Sequence, residues 1–258
     1  MPTHSLTLIG QFLQRELRNR FSGSFSGGLW ALIQPLVQLA VYTFVFVHVF
    51  KARLPGSDAP GFVPFLVTAL WPWTAFSEAI LRSTTAVQDN AALIGKIALP
   101  RKVFVFAAVG SSFLVHSLGF VAIVLILKLL GQRIDLAGLP LALLLYVPLL
   151  LLTTGLALVL SALQVFVRDL IQALGQILML MMFAAPVFYA RESLPEHLRH
   201  WLDLNPFTFY AESFRSVLLG YGHIEAPRLA IAVLVAVAAM LIGSWFFRRL
   251  DRHFEDFL

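Results

Sequence analysis

Between Gly138 and Val167 the chain reads GLPLALLLYVPLLLLTTGLALVLSALQVFV, with no charged residue in it. A helix rises about 1.5 Å per residue and a bilayer's hydrocarbon core is about 30 Å thick, so roughly 20 such residues cross it. This stretch exceeds that, which predicts a tilted helix or one running past the headgroups. The alternation of a barrel strand is absent. A helix is the expected form, since lipid offers the backbone no hydrogen-bond partners outside the segment itself.

Five further stretches read the same way: Leu29–Phe50, Phe62–Leu81, Val103–Leu127, Leu170–Ala190 and Leu229–Phe247. The composition agrees, with 59% apolar and 13% charged residues and a mean hydropathy of +0.83. Soluble domains carry about 25% charged residues. The expected fold is an all-α membrane protein of six transmembrane helices. Residues 1–28 form a cytoplasmic-face helix and bend, 29–247 the transmembrane domain and 248–258 a cytoplasmic tail. The start shows Arg15, Arg18 and Arg20 but no short apolar core with a cleavage site, so no signal peptide is expected. With the amino terminus inside, inner segments hold Arg15, Arg18, Arg20, Lys96, Arg101, Lys102, Arg168, Arg248, Arg249 and Arg252. Outer ones hold Lys51, Arg53, Lys128, Arg133, Arg191, Arg199, Arg215 and Arg228. The bias favours both termini in the cytoplasm. The net charge of +5 suits anionic headgroups, and no basic run interleaved with aromatics points to nucleic acid.

Three segments outside the spans are patterned. In Ser5–Phe21, Leu6, Ile9, Leu13 and Leu17 recur at three- and four-residue spacing with Phe12, opposite Gln11, Gln14, Arg15, Arg18 and Asn19. This predicts an amphipathic helix in the interface plane, and the Gly/Ser-rich run from Phe21 to Gly28 bends the chain into the first span. Val87–Lys102 predicts a short inner helix, at about 87–101, capped by Asp89 or Asn90 and stopped by Pro100. Arg191–Pro227 predicts two short outer helices within about 193–220. One is Leu194–Leu202 with Ser193 as cap and Pro195 in its first turn; the other starts at Asn205-Pro206 and stops at Gly220.

Catalytic motifs are missing. The nearest approach to a phosphate-cradling loop is Gly95-Lys96, where Asn90 stands for the first Gly and Ile97 for the hydroxyl residue. No His-Glu-x-x-His or Gly-x-Ser-x-Gly occurs. With no cysteine, thiolate chemistry is excluded. Hence no catalytic residue, metal site or cofactor is expected on this chain. Glu78 sits inside a span, where an ionisable group either faces a pathway or, four residues before Arg82, forms an i,i+4 pair. His48 and His116, among apolar neighbours, read as hydrogen-bonded packing residues. Arg168-Asp169 reads either as a solvated turn or as a functional one. Tyr42, Phe44, Phe46, Trp71, Trp73 and Phe76 offer flat apolar faces, suited equally to helix packing or to stacking on sugar rings.

Taken in order, these motifs resemble the permease subunits of ABC-type polysaccharide exporters, the group that handles O-antigen, teichoic acid and capsules. The resemblance runs from Glu16-Leu-Arg-Asn-Arg20 and Gly28-Leu-Trp-Ala-Leu-Ile-Gln-Pro35 through Phe76-Ser-Glu78, Asp89-Asn90 and Lys96-Ile-Ala-Leu-Pro-Arg101. It continues with Phe166-Val-Arg-Asp169, Pro186-Val-Phe-Tyr189, Leu194-Pro195, Leu204-Asn-Pro206 and Arg215. Ser26-Gly27-Gly28 departs from it, since a leucine commonly precedes the Gly-Leu-Trp. The resemblance implies a homodimer in a bacterial inner membrane, working with two copies of a separate ATPase subunit that holds ATP and Mg, and moving a lipid-linked polysaccharide, O-antigen first among the choices. Coupling to the ATPase falls to Arg15, Glu16, Arg18, Arg20, Asp89, Asn90, Lys96, Arg101, Arg168 and Asp169. The channel falls to Tyr42, Phe46, Trp71, Trp73, Phe76 and Glu78, and the outer gate to Tyr189, Asn205, Pro206, Phe209, Tyr210 and Arg215. The rivals are an exporter of drugs or small lipids with the same fold, an intramembrane glycolipid enzyme and a passive channel.

Overall fold

A computed structural model describes residues 3–21, 27–51, 54, 61–94 and 100–256. In chain order the helices are α1 (Thr3–Phe21), α2 (Gly27–Thr43, ending in a wide π turn over Phe44–Val49), α3 (Phe62–Asp89), α4 (Ala91–Ile94) and α5 (Lys102–Leu129). Then come α6 (Leu139–Phe166), α7 (Leu170–Phe183), α8 (Glu196–Asp203), α9 (Pro206–Leu219) and α10 (Ala226–Leu250). No strand occurs among the described residues. Three segments are long and apolar enough to cross a membrane: Lys102–Leu129, Leu136–Phe166 and Ala226–Phe254. Ile33–Val49 and Leu170–Phe183 are apolar but shorter, and α3, equally long, is the most enclosed helix of the bundle.

Several boundaries differ from the sequence reading. Helix α3 runs on past Leu81 to Asp89 because Arg82–Asp89 holds no Gly or Pro, and the Ser83 and Thr84 hydroxyls donate back to the Ile80 carbonyl at 3.1 and 2.7 Å. The short inner helix is therefore reduced to α4 after a break at Asn90, and Gly95–Leu99, with Lys96, lies outside the described residues. Asn90 stands at the head of α4, its carbonyl accepting from Leu93 N and Ile94 N at 3.0 and 3.1 Å. Its side chain is engaged elsewhere, with Arg15 and the Ala86 carbonyl, and Asp89 accepts from the Thr85 hydroxyl at 2.8 Å. The fifth apolar stretch is helical only to Phe183, after which the chain turns through Ala184–Tyr189. Helix α8 starts at Glu196 with Pro195 in the cap position rather than Ser193, which ends the preceding turn. Helix α9 begins as expected, the Asn205 carboxamide oxygen accepting from Phe207 N at 3.0 Å. It stops at Gly220, whose φ of +63° suits a residue without Cβ.

Hydrogen bonds and ring contacts define two ends of the bundle. At one end Phe12 of α1 meets Phe104 of α5 edge-on with centroids 4.9 Å apart. Gln88 donates to the Gln164 carbonyl at 2.9 Å, and Phe166 packs on Phe254. At the other end Asp135 N donates to the Leu218 carbonyl at 2.8 Å, and Asn205 Nδ2 to the Met181 carbonyl at 2.8 Å. Helices α3, α5, α6 and α10 connect the two ends.

Helices α6 and α10 share the closest seam. A Cβ added to Gly155 would collide with the Ala239 backbone, and one on Gly243 with the backbone of Gly155. Small residues are what let apolar helices approach this closely in lipid. The rest of α10 is nearly bare, with only Ala236, Gly243 and Phe247 buried.

Candidate functional site

A ladder of charged contacts ties α1 to the bundle. Arg15 Nη2 donates to Asn90 Oδ1 at 3.0 Å, bridging α1 to the end of α3. Two turns back along α3, Arg82 Nη2 meets Glu16 Oε2 at 3.2 Å. Deepest, Arg20 reaches Glu78, with Nη1–Oε1 at 2.7 Å and Nη2–Oε2 at 3.0 Å. The register follows from helical spacing: Glu16 and Arg20, like Glu78 and Arg82, lie four apart and share a face. Glu78 thus pairs with Arg20 rather than with Arg82, its neighbour along α3. Helix α5 completes the site, with His116 Nε2 2.7 Å from Glu78 Oε2 and the Ser112 hydroxyl donating to Oε1 at 3.2 Å. Below this ladder the apolar face of α1 packs on α5, where a Cβ on Gly110 would meet Leu13 Cδ1 at 2.9 Å.

Arg20 and Glu78 are 11% and 27% exposed and His116 only 2%. A carboxylate so enclosed needs partners, because leaving a charge unpaired away from water is costly. Arg20, His116 and Ser112 supply them. Beside the Arg20–Glu78 pair lies a polar cavity of about 220 Å³, walled by Gln34 and Gln38 of α2, Trp73, Thr74 and Ser77 of α3, and His116. The arrangement holds a fixed charge where α1, α2, α3 and α5 meet.

The other proposed channel aromatics are placed variously. Trp71, Trp73 and Phe76 are buried inside the bundle. The Trp71 indole donates to the His116 carbonyl at 3.0 Å, and Trp73 and Phe76 pack on Phe207 of α9 at 4.9 and 6.0 Å. Half-buried Tyr42 accepts from Gln38 Nε2 at 3.1 Å and meets Phe188 edge-on, while Phe46 stacks on Phe188 and Phe62. His48 is exposed, stacked on Phe44; it is not a packed interior residue, whereas His116 is buried and hydrogen-bonded.

Among the remaining residues expected to couple to an ATPase, Arg101 pairs with Asp251 at 3.0 Å and lies over Phe254. Arg18, Arg168 and Asp169 are exposed. The Phe166–Asp169 turn is held instead by Gln164, which sequence reasoning missed. Its amide donates to the Arg168 carbonyl at 2.9 Å and to Gln88 Oε1 at 3.2 Å, and its oxygen accepts from Ile171 N at 3.0 Å.

At the opposite end Arg215 is buried with its guanidinium 3.4 Å from the Phe65 ring centroid. It donates to the carbonyls of Phe65, Pro186 and Val187 at 3.2, 2.5 and 2.8 Å. Arg215 thereby binds α9 to the start of α3 and to the turn after α7. Nearby, the Tyr189 hydroxyl donates to the Phe183 carbonyl at 2.9 Å, Pro206 opens α9, and Phe209 packs against buried Tyr210. Helix α3 therefore carries Glu78 at one anchored site and Phe65 at the other. Sequence reasoning named Arg20, Glu78 and Arg215 but not this connection. The signal available for the first pair was the Ser112/His116 spacing, a polar stripe on an otherwise apolar helix.

Residues 7–219 match the family model of the ABC-2 type transporter. The O-antigen export system permease protein RfbA of Klebsiella pneumoniae is 26% identical over 95% of this chain and 92% of its own length. RfbA of Myxococcus xanthus is 26% identical over 96% and 94%. The polysialic acid transport protein KpsM of Escherichia coli is 21% identical over 91% and 90%. An all-helical bundle with membrane-crossing helices, matched over most of its length by that family model, belongs to the ABC-2 type transporter family.

Proposed function

We propose that the chain is the membrane half of an ATP-driven exporter that carries a lipid-linked polysaccharide, O-antigen first among the choices, out of the cytoplasm. Two copies, each of six spans, enclose the path, and two copies of a separate ATPase subunit supply ATP and Mg. The observation that carries this reading is likeness along almost the whole chain to permeases named for O-antigen export. Likeness to KpsM keeps a capsule-type polymer as the second reading.

The ladder supports a mode of action. In this reading α1, α4 and the residues around Lys96 and Arg101 face the ATPase, with both chain ends in the cytoplasm. A push on α1 passes through Arg20 to Glu78 without slack, because the pair is enclosed and joined by a hydrogen bond and a second close ion contact. Helix α3 then carries the displacement to Phe65 and Arg215, where α9 and the turn at Tyr189 act as the outer gate. Tyr42, Phe46, Trp71, Trp73, Phe76 and Glu78 border the path: Glu78 and Trp73 line the polar cavity in the present packing, and Trp71 and Phe76 join it when α3 shifts.

The chain lacks cysteine, so single cysteines report location cleanly. Cysteine at Ala92 should resist a membrane-impermeant maleimide in intact cells, and cysteine at His223 should react. In a strain lacking the chromosomal copy, the chain together with its ATPase should restore surface O-antigen. Reaction at Ala92 from outside, or export without the ATPase, would overturn the proposal.

A further inference from the structure

A cleft of about 550 Å³ lies away from the ladder, where α6, α9 and the first turns of α10 diverge. That is within the roughly 300–1,000 Å³ range of sites that enclose small organic ligands. Its body is apolar, formed by Leu152, Phe209, Ile231, Ala232 and Val235. Ile231 and Val235 lie on the bare flank of α10, so the cleft opens on the exposed apolar side of a helix long enough to cross a membrane. From Arg228 to Val235 its α10 wall runs about 10 Å, from a charged rim to an apolar body.

Two polar features distinguish it from a packing gap. Tyr210 lines it, is 1% exposed, and its hydroxyl finds no hydrogen-bond partner; a buried hydroxyl left this way asks for an acceptor. The mouth carries Asp203, Glu212 and Arg228. Around it Arg191 lies 2.6 Å from Asp203 and 3.6 Å from Glu212, and Arg228 lies 3.4 Å from Glu212 and 3.3 Å from Glu225. Of the groups that line the cleft itself, two carboxylates, Asp203 and Glu212, stand against one guanidinium, the accessible Arg228, while Arg191 and Arg215 adjoin Glu212 outside the lining.

From this geometry we infer that the cleft binds a zwitterionic phospholipid with a primary ammonium, one acyl chain lying along α10. The ammonium faces Asp203 and Glu212, the phosphate faces Arg228, and the Tyr210 hydroxyl donates to an oxygen of the glycerol region. An anionic lipid would bring no cation to the two carboxylates of the cleft wall.

The full chain, stripped of lipid in detergent and titrated with phosphatidylethanolamine or phosphatidylglycerol, tests this by native mass spectrometry without any transport step. Exposed charge contacts of this kind support a preference of up to about fivefold for phosphatidylethanolamine. Ala232→Phe, which fills the body, should lower retention of that lipid to the level of phosphatidylglycerol. Should that variant fail to fold, Glu212→Gln with Arg228→Gln should abolish the preference while leaving the cleft open. Equal retention of both lipids by the native chain would overturn the inference, as would undiminished preference in either variant. So would efficient disulfide cross-linking between two copies through cysteine at Ala232, which would identify a second copy of this chain as the occupant.

Discussion

Glu78→Gln keeps the side chain's shape and removes its charge, leaving Arg20, 11% exposed, without a carboxylate. Breaking a buried pair from one side costs about 3–5 kcal/mol. Because Glu78 is 27% exposed, the lower end applies, about 3 kcal/mol. Arg20→Gln leaves Glu78 with His116 and Ser112, so the loss is that of a charged hydrogen bond, about 2 kcal/mol. In the double variant two amides face each other with no stranded charge, and the combined loss should stay near 3 kcal/mol. The cycle then gives a coupling of about 2 kcal/mol, well above the roughly 0.5 kcal/mol expected between independent sites. For a chain of this size each kcal/mol moves Tm by about 2–4 °C, so Glu78→Gln should melt about 6–12 °C lower. Thermal unfolding of the detergent-purified chain, followed by tryptophan fluorescence, measures all four corners. Additive shifts, or a Glu78→Gln shift below about 2 °C, would refute the claim that this pair holds α1 to α3.

Gly243→Leu should sharply reduce the yield of folded protein, since its Cβ meets Gly155 backbone that cannot rotate away and overpacking costs at least about 1–3 kcal/mol. Gly175→Ala in α7, where a Cβ meets nothing, should raise Tm slightly, and size-exclusion yield with Tm reads both. Arg215→Lys should fail to replace the native residue, lowering Tm and impairing gating, because a point-like ammonium does not span three carbonyls and an aromatic face. For Asp203, the hydrogen bonds from Arg191 hold the carboxyl below its usual range, aided by the charges of Arg191, Arg228 and His200. Its folded pKa being depressed, its contribution is present above the unfolded value and is lost as pH falls through the folded one. Asp203→Asn should therefore flatten the acid limb of a Tm-against-pH curve by a small amount, the pair being surface-exposed.

What could be read in the sequence was what depends on local patterning. The hydropathy of Gly138–Val167 and Val103–Leu127 is a property of each segment alone, and α5 and α6 follow it closely. The Asn205-Pro206 start and the Gly220 stop are likewise local chemistry, and α9 has both. The pairing of Glu78 was not local. Along α3 the nearest cation in sequence is Arg82, but α1 brings Arg20 and Glu16 across, and the four charges exchange partners between helices. The α6–α10 seam was also invisible segment by segment, although Ala239 and Gly243 at i,i+4 spacing carry the small-residue signature. Helix α3 exceeds the apolar stretch Phe62–Leu81 because Ser83 and Thr84 satisfy their hydroxyls within the helix, so polar residues alone do not end it.

Arg101 beside Asp251, with Phe12 on Phe104 at the same end, has a consequence for parity. The first and last described elements rest on one pole of the bundle, so the polypeptide crosses from pole to pole an even number of times between them. A compartment reporter inserted just past Phe254 therefore also locates α1, and an odd number of inserted crossings would separate Asp251 from Arg101 by the full thickness of the bundle.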